Sequence, residues 1–219
     1  MPDSTTAAAP PSPDADAALA DVLRVLAREE AEHGAESTRL IPVLQSLCAV
    51  QQQRGAMDAV LAAALRMHAI AQAAAGDAHG ATATHANNVA SVLKAMGRGD
   101  EAFAWFSRAA RDGEAALGPA HPLVATFLNN LALAHQERGE HADARALLER
   151  ALAIDTAAYG PHHTSVGRDH HRLADVLMAQ GDAAGARDEL ESAVDAFTGS
   201  VGADHEFTVR VREQVARMG

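Results

Sequence analysis

Glycine recurs in this chain at one fixed spacing. Gly34, Gly76, Gly118, Gly160 and Gly202 each stand 42 residues from the last, and Gly55, Gly97, Gly139 and Gly181 form a second ladder with the same step. Nine of the 16 glycines keep that period, which random placement would almost never produce. A constant period of this length means one supersecondary unit repeated, each copy burying its apolar face only against its neighbours. Two further ladders keep the step. One is His79, His121, His163 and His205, with Ser37 in the equivalent place of the first unit; the other is Leu47, Val89, Leu131 and Leu173, each followed by a small residue, Cys48, Ala90, Ala132 and Ala174.

The segments between ladders read as helices. Aromatic residues make up 3% of the chain while 48% is hydrophobic and alanine leads the apolar set, a balance that favours helix over sheet. Leu128, Leu131, Ala132 and His135 fall on one helical face, and Ala144, Leu147, Leu148, Ala151 and Ile154 on one face of the next segment. Each unit is therefore a helix hairpin, with one glycine ladder closing its first helix and the other its second. Pro122, and nearly in register Pro42, suit a first helical turn. The pattern predicts repeats at about 37–76, 79–118, 121–160 and 163–202, a closing helix over 205–218 and a leading helix over 17–33, where Leu19 and Leu23 precede Leu61 and Leu65 by one period. Residues 1–16 read as a disordered Pro/Ala-rich tail, and 17–219 as a single domain.

Composition removes several function classes. Eighteen basic against 29 acidic side chains give a net charge of −11, which repels a phosphate backbone, so nucleic acid is not an expected partner. No apolar run reaches the roughly 18 residues of a membrane span. The tail has no basic start and no apolar stretch of a signal peptide. A lone cysteine, Cys48, forms no intramolecular disulfide and fits a reducing, cytoplasmic setting.

The run from His121 to Ala132, with Pro122, Asn129 and Asn130 inside it, is followed by Gly139, Ala144, Arg150 to Ile154 and Tyr159 to His163. This resembles the 42-residue tetratricopeptide repeat of the kinesin-light-chain type. The resemblance is closest in the third unit, good in the second around Asn87, Asn88 and Gly97, and weaker in the first and fourth. Ala102, Ala144 and Ala186, with Ala109, Ala151 and Ala193, stand where that family has second-helix alanines. Val60 and Met67 depart from it, as do Gln51, Leu93, His135 and Leu177 in place of a first-helix tyrosine, which predicts a softer core. The resemblance implies an all-α, right-handed α-solenoid of antiparallel helix pairs, whose first helices line a concave groove for a protein or peptide partner.

Helical wheels point to the same face. Opposite the packed stripe lie Thr126, Asn129, Asn130, Leu133 and Gln136 in the third unit, Gln45, Ser46, Ala49 and Gln52 in the first, Thr84, Asn87, Asn88 and Ser91 in the second, and Arg168, His171, Arg172 and Asp175 in the fourth. Amides carry donors and acceptors suited to a peptide backbone, and placing Asn pairs on helices costs stability that binding would explain; simple tolerance at a solvated face is the alternative. Asn87 and Asn129 are expected in solvent. Arg168, Arg172, Arg210 and His171 would meet a partner's carboxylate; the alternative is intrahelical pairing of the arginines with nearby acids such as Asp169, Asp175 or Glu213. His162–His163 and His170–His171 are adjacent pairs that point about 100° apart on a helix, so a metal site is not expected. No catalytic motif and no cofactor motif is present, and Cys48 reads as a core thiol. The expected function is peptide binding without catalysis; the alternative is a scaffold that self-associates through its ends, with Val209, Val211, Val215 and Met218 of the closing helix as the candidate surface.

Overall fold

The structure, a computed structural model, describes residues 13–77 and 79–218. Ten helices and no strand occur among the described residues: α1 (Pro13–His33), α2 (Leu40–Gln53), α3 (Met57–Ala75), α4 (Gly80–Ala95), α5 (Gly99–Leu117), α6 (Pro122–Glu137), α7 (His141–Tyr159), α8 (Thr164–Ala179), α9 (Ala183–Val201) and α10 (Glu206–Arg217). The leading helix starts at Pro13 rather than at residue 17, because a proline is accommodated in a first turn and Asp14 and Asp16 complement the positive end of the helix. The rest of the expected tail, residues 1–12, lies outside the described residues.

Both glycine ladders mark helix ends. All nine ladder glycines have φ between +70° and +99°. Gly139 shows why: the amide of Glu140 donates to His135 O at 2.9 Å and that of Gly139 to Gln136 O at 3.0 Å, a pair of bonds that closes α6 only if the residue between them is left-handed. The same two bonds recur after α2, α4 and α8.

The histidine ladder caps helices. His79, His121, His163 and His205 each accept, at Nδ1, the backbone amide two residues on, at 3.1–3.3 Å. Ser37 does the same with its hydroxyl toward Arg39 N. These positions satisfy amides that an α-helix leaves without partners at its start.

The chain forms two compact units, Met1–Trp105 and Phe106–Gly219. In the first, α1 packs on α2, α2 on α3 and α3 on α4, burying Leu40, Leu44, Val60, Met67, Ala83, Val89 and Leu93. His68 is buried there, its ring edge-on to Trp105 at 5.0 Å and its Nδ1 3.3 Å from Thr82 O. In the second, α6 to α10 pack in chain order around Ala132, Ala144, Leu148, Leu173, Leu177, Ala186, Leu190, Phe197 and Val211. Alanine at Ala144, Ala151, Ala186 and Ala193 is fully buried, which lets the backbones of successive helices approach closely. The closing helix spends its apolar residues on this core: Val211 is buried, and Val215, Met218 and Phe207 pack against the same cluster. Only Val209 of the expected self-association surface is exposed, at 38%.

Candidate functional site

The groove residues read from the sequence separate into two kinds. In the first unit Gln45, Gln52, Asn88 and Ser91 are exposed and Thr84 half-buried, its hydroxyl donating to Gly80 O. Asn87 is buried, contrary to the expectation of solvent. In the second unit Thr126 and Arg168 are exposed, while Asn130, Leu133, Gln136, His171, Arg172 and Asp175 are half-buried. Asn129 is also buried, at 6% exposure, because its Nδ2 donates to Asp169 Oδ1 at 2.8 Å and so turns inward. The first asparagine of each pair thus belongs to the packed side of its helix and the second to the open side, since adjacent residues point about 100° apart.

The arginines of α8 and α10 are the second feature. Many arginines elsewhere hold carboxylates, as Arg98 does with Glu101, Arg145 with Glu149, Arg187 with Glu191 and Arg150 with Glu114, while Arg39 and Arg212 hold none among the described residues. Arg168, Arg172 and Arg210 have no carboxylate within 4.0 Å among the described residues. Arg168 reaches only Ser165 Oγ at 3.3 Å, and Arg210 lies over the Phe207 ring at 5.5 Å. Burial holds the Arg172 guanidinium below its ordinary basicity. The three arginines therefore do not make the intrahelical pairing offered as an alternative, whereas His171 Nδ1 lies 3.8 Å from Asp175. With His171, Phe197, Phe207 and Val211, these three arginines line a cavity of about 200 Å³.

A second cavity, of about 160 Å³, adjoins the same arginines and is lined by Thr126, Asn129, Asn130, Asp155, Ser165, Arg168, Asp169 and Arg172. Asp155 and Asp169 are 6% and 2% exposed. Burial pushes Asp169 up to about 7 despite the Asn129 hydrogen bond, and the neighbouring Asp155 adds to the rise. Asp155 is raised by its own burial, against the pull of His163, of Arg168 and of a hydrogen bond with Asp169. Sequence reasoning did not single out Asp155, and took Asp169 only as an arginine's partner. The ladders held part of the signal: Asp155 stands one period from Gly113 and Phe197, and Asp169 one period from Phe127 and Val211, so each is an acid where the adjacent repeats carry none.

The histidine pairs are not brought together around a common point. His163 caps α8, His162 lies 3.7 Å from Asp195, His170 Nδ1 meets Glu189 at 2.6 Å and His171 Nε2 donates to Gln214 at 3.0 Å. His135, Glu140 and Asp143 do offer ligand atoms within 4.8 Å of one another, but His135 and Glu140 already bond each other at 2.6 Å. Cys48 is half-buried, its thiol donating to Val60 O and raised by burial, which keeps it protonated. No helix among the described residues is long and apolar enough to cross a membrane.

The tetratricopeptide repeat family profile matches residues 81–157 and 123–176. No curated protein matches the chain in sequence. Among solved structures, BtubC (BKLC) from P. vanneervenii is similar with a TM-score of 0.78 at 14% identity, over 94% of this chain and 91% of that one. Two structures of a Podosopora anserina kinesin light chain with nearly identical TPR-like repeats are also similar. One has a TM-score of 0.72 at 23% identity, over 83% of this chain and 85% of that one. The other has 0.69 at 21%, over 84% and 87%. At these identities the likeness establishes the all-α repeat fold.

Proposed function

We propose, for a chain whose residues 81–176 belong to the tetratricopeptide repeat family, that it is a protein–protein interaction module which holds a carboxylate-bearing segment of a partner on the first-helix faces of its second unit. The observation that carries this reading is the trio Arg168, Arg172 and Arg210, none with a carboxylate within 4.0 Å among the described residues, lining a cavity with Phe197 and Phe207 in a chain of net charge −11. A guanidinium that is partly withdrawn from water and unpaired is costly, and a partner's carboxylate relieves that cost with charge-assisted hydrogen bonds. Thr126, Asn130 and Gln136 continue the face with groups able to meet a peptide backbone. In the first unit, Gln45, Gln52, Thr84, Asn88 and Ser91 offer the same chemistry. Binding in this reading involves no chemical step and no cofactor, and a cytoplasmic setting, suggested by the lone cysteine, belongs to the same proposal.

Selection from a random peptide library tests it. The recovered peptides are expected to be rich in Asp and Glu, to bind more weakly as salt rises, and to lose about 10- to 100-fold in affinity to Arg172→Gln or Arg210→Gln. Peptides without acidic bias that bind both variants like the parent would overturn the reading.

A further inference from the structure

Asp155 and Asp169 interrupt an apolar stripe. One period further on, the same two positions hold Phe197 and Val211, 3% and 1% exposed and part of the core. Two carboxyls in such a layer are expensive unless something satisfies them. Asn129 supplies one donor, to Asp169 Oδ1. With both carboxyls ionised, no donor among the described residues reaches the buried oxygens Asp155 Oδ1, Asp169 Oδ2 and Asn129 Oδ1, and all three residues line the 160 Å³ cavity. Arg168 and Arg172 line this cavity and also the adjoining arginine–phenylalanine cavity.

We propose that this cavity receives a primary ammonium on an alkyl stem with a carboxylate close by: a lysine at the end of a partner chain, or a lysine beside an acidic residue. An ammonium brings three N–H donors and no acceptor, matching three acceptor oxygens that lack donors. The volume agrees, since a cavity of about 150 Å³ accommodates a six-heavy-atom ring and the tip of a lysine is smaller. A bare metal cation would find oxygen ligands here but would face Arg168 and Arg172 across the rim. A lysine that carries its carboxylate onto those arginines compensates both charges. The groups facing the carboxyl pair are His163, Arg168, Arg172 and Asn129. At neutral pH the pair retains a proton, so the arriving ammonium displaces it and binding releases a proton to solvent.

This deepens the proposed partner-binding role of the second unit and rests on it for the partner's identity. The probe is Nα-acetyl-lysine, titrated by calorimetry and by the side-chain amide resonance of Asn129, beside Nα-acetyl-norleucine, which lacks the ammonium. The lysine compound is expected to bind at least about tenfold more tightly, to shift the Asn129 amide, and to tighten from about pH 6 to about pH 8. Asp155→Asn with Asp169→Asn should erase the difference between the two compounds while the protein melts no lower. Equal binding of both compounds to the parent protein, or none by the lysine compound, overturns the inference without recourse to any variant. If acidic peptides nevertheless bind through Arg172, the partner-binding reading stands alone. If acetyl-lysine binds and acidic peptides do not, the ammonium site stands and that reading falls. Peptides ending in lysine, with and without C-terminal amidation, and an internal lysine–glutamate peptide separate the two sources of the ligand.

Discussion

Replacing Asp169 with asparagine should make the protein more stable at alkaline pH and flatten its stability profile below neutrality. The folded chain keeps a proton on Asp169 up to about pH 7, whereas an aspartate in the unfolded chain releases it near 3.8. Between those values the folded state binds more protons, so stability falls as pH rises and levels off above about 7. A difference of about 3 pH units at ~1.36 kcal/mol each sets an upper bound of roughly 4 kcal/mol, and sharing the proton with Asp155 reduces the recoverable part to about half. Asparagine keeps an oxygen for the Asn129 Nδ2–H and offers its own N–H to Asp155, which the ionised aspartate cannot do. We expect Asp169→Asn to gain roughly 2 kcal/mol at about pH 8, a rise on the order of 4–8 °C in Tm, and to converge with the parent near pH 4. Urea and thermal melts of both proteins across that range measure it. Parallel profiles, or a variant less stable at pH 8, would refute the assignment of a buried proton to this pair.

Three further outcomes are expected from the same kind of melt. Gly139→Val should cost at least about 1–2 kcal/mol, since a β-branched residue is forced to φ +77°, whereas Gly99→Ala, in the first turn of α5, should be neutral or slightly stabilising. His121→Ala should cost about 0.5–2 kcal/mol through loss of the bond to Leu123 N, and His121→Asn should restore most of it. Asn129→Ala should cost about 1–3 kcal/mol because Asp169 loses its donor, whereas Asn88→Ala, at an exposed site, should hold stability or raise it by a few tenths.

The helix pairs were legible because the same residues recur at the same steps for the same local reasons. A glycine that must be left-handed and a histidine that must cap an amide act within a few residues of themselves, so their spacing reveals where helices begin and end. Of the second asparagines, Asn88 is exposed and Asn130 half-buried. Asn129 was not legible as buried, because what turns it inward is Asp169, 40 residues away on the next repeat, and a single helical wheel contains no such neighbour. The two acids escaped notice for the related reason that charge on a wheel reads as surface. Only comparison along the ladder, against Phe197 and Val211, exposes them as occupants of a core position. In the closing helix, which a single wheel shows with more apolar residues than one face needs, Val211, Val215 and Met218 pack against the cluster that holds Leu190, Ala193 and Phe197.

The constant step between repeats makes the carboxyl layer separable from the architecture around it. Excising residues 141–182 would join Glu140 to Ala183 in register, replacing α7 by α9 behind α6. The incoming helix presents Ala186, Leu190 and Ala193 where Ala144, Leu148 and Ala151 had packed, all of them buried. Asp155 and Asp169 would leave together, and Phe197 and Val211 would move up into their places. Such a shortened chain would keep the turn and cap pattern of its remaining repeats, but it would lose both cavities with Arg168, His171 and Arg172 and leave Asn129 without its Asp169 acceptor. A lineage that duplicates or drops whole repeats could thus acquire or discard this pocket in one genetic event, with its scaffold left intact.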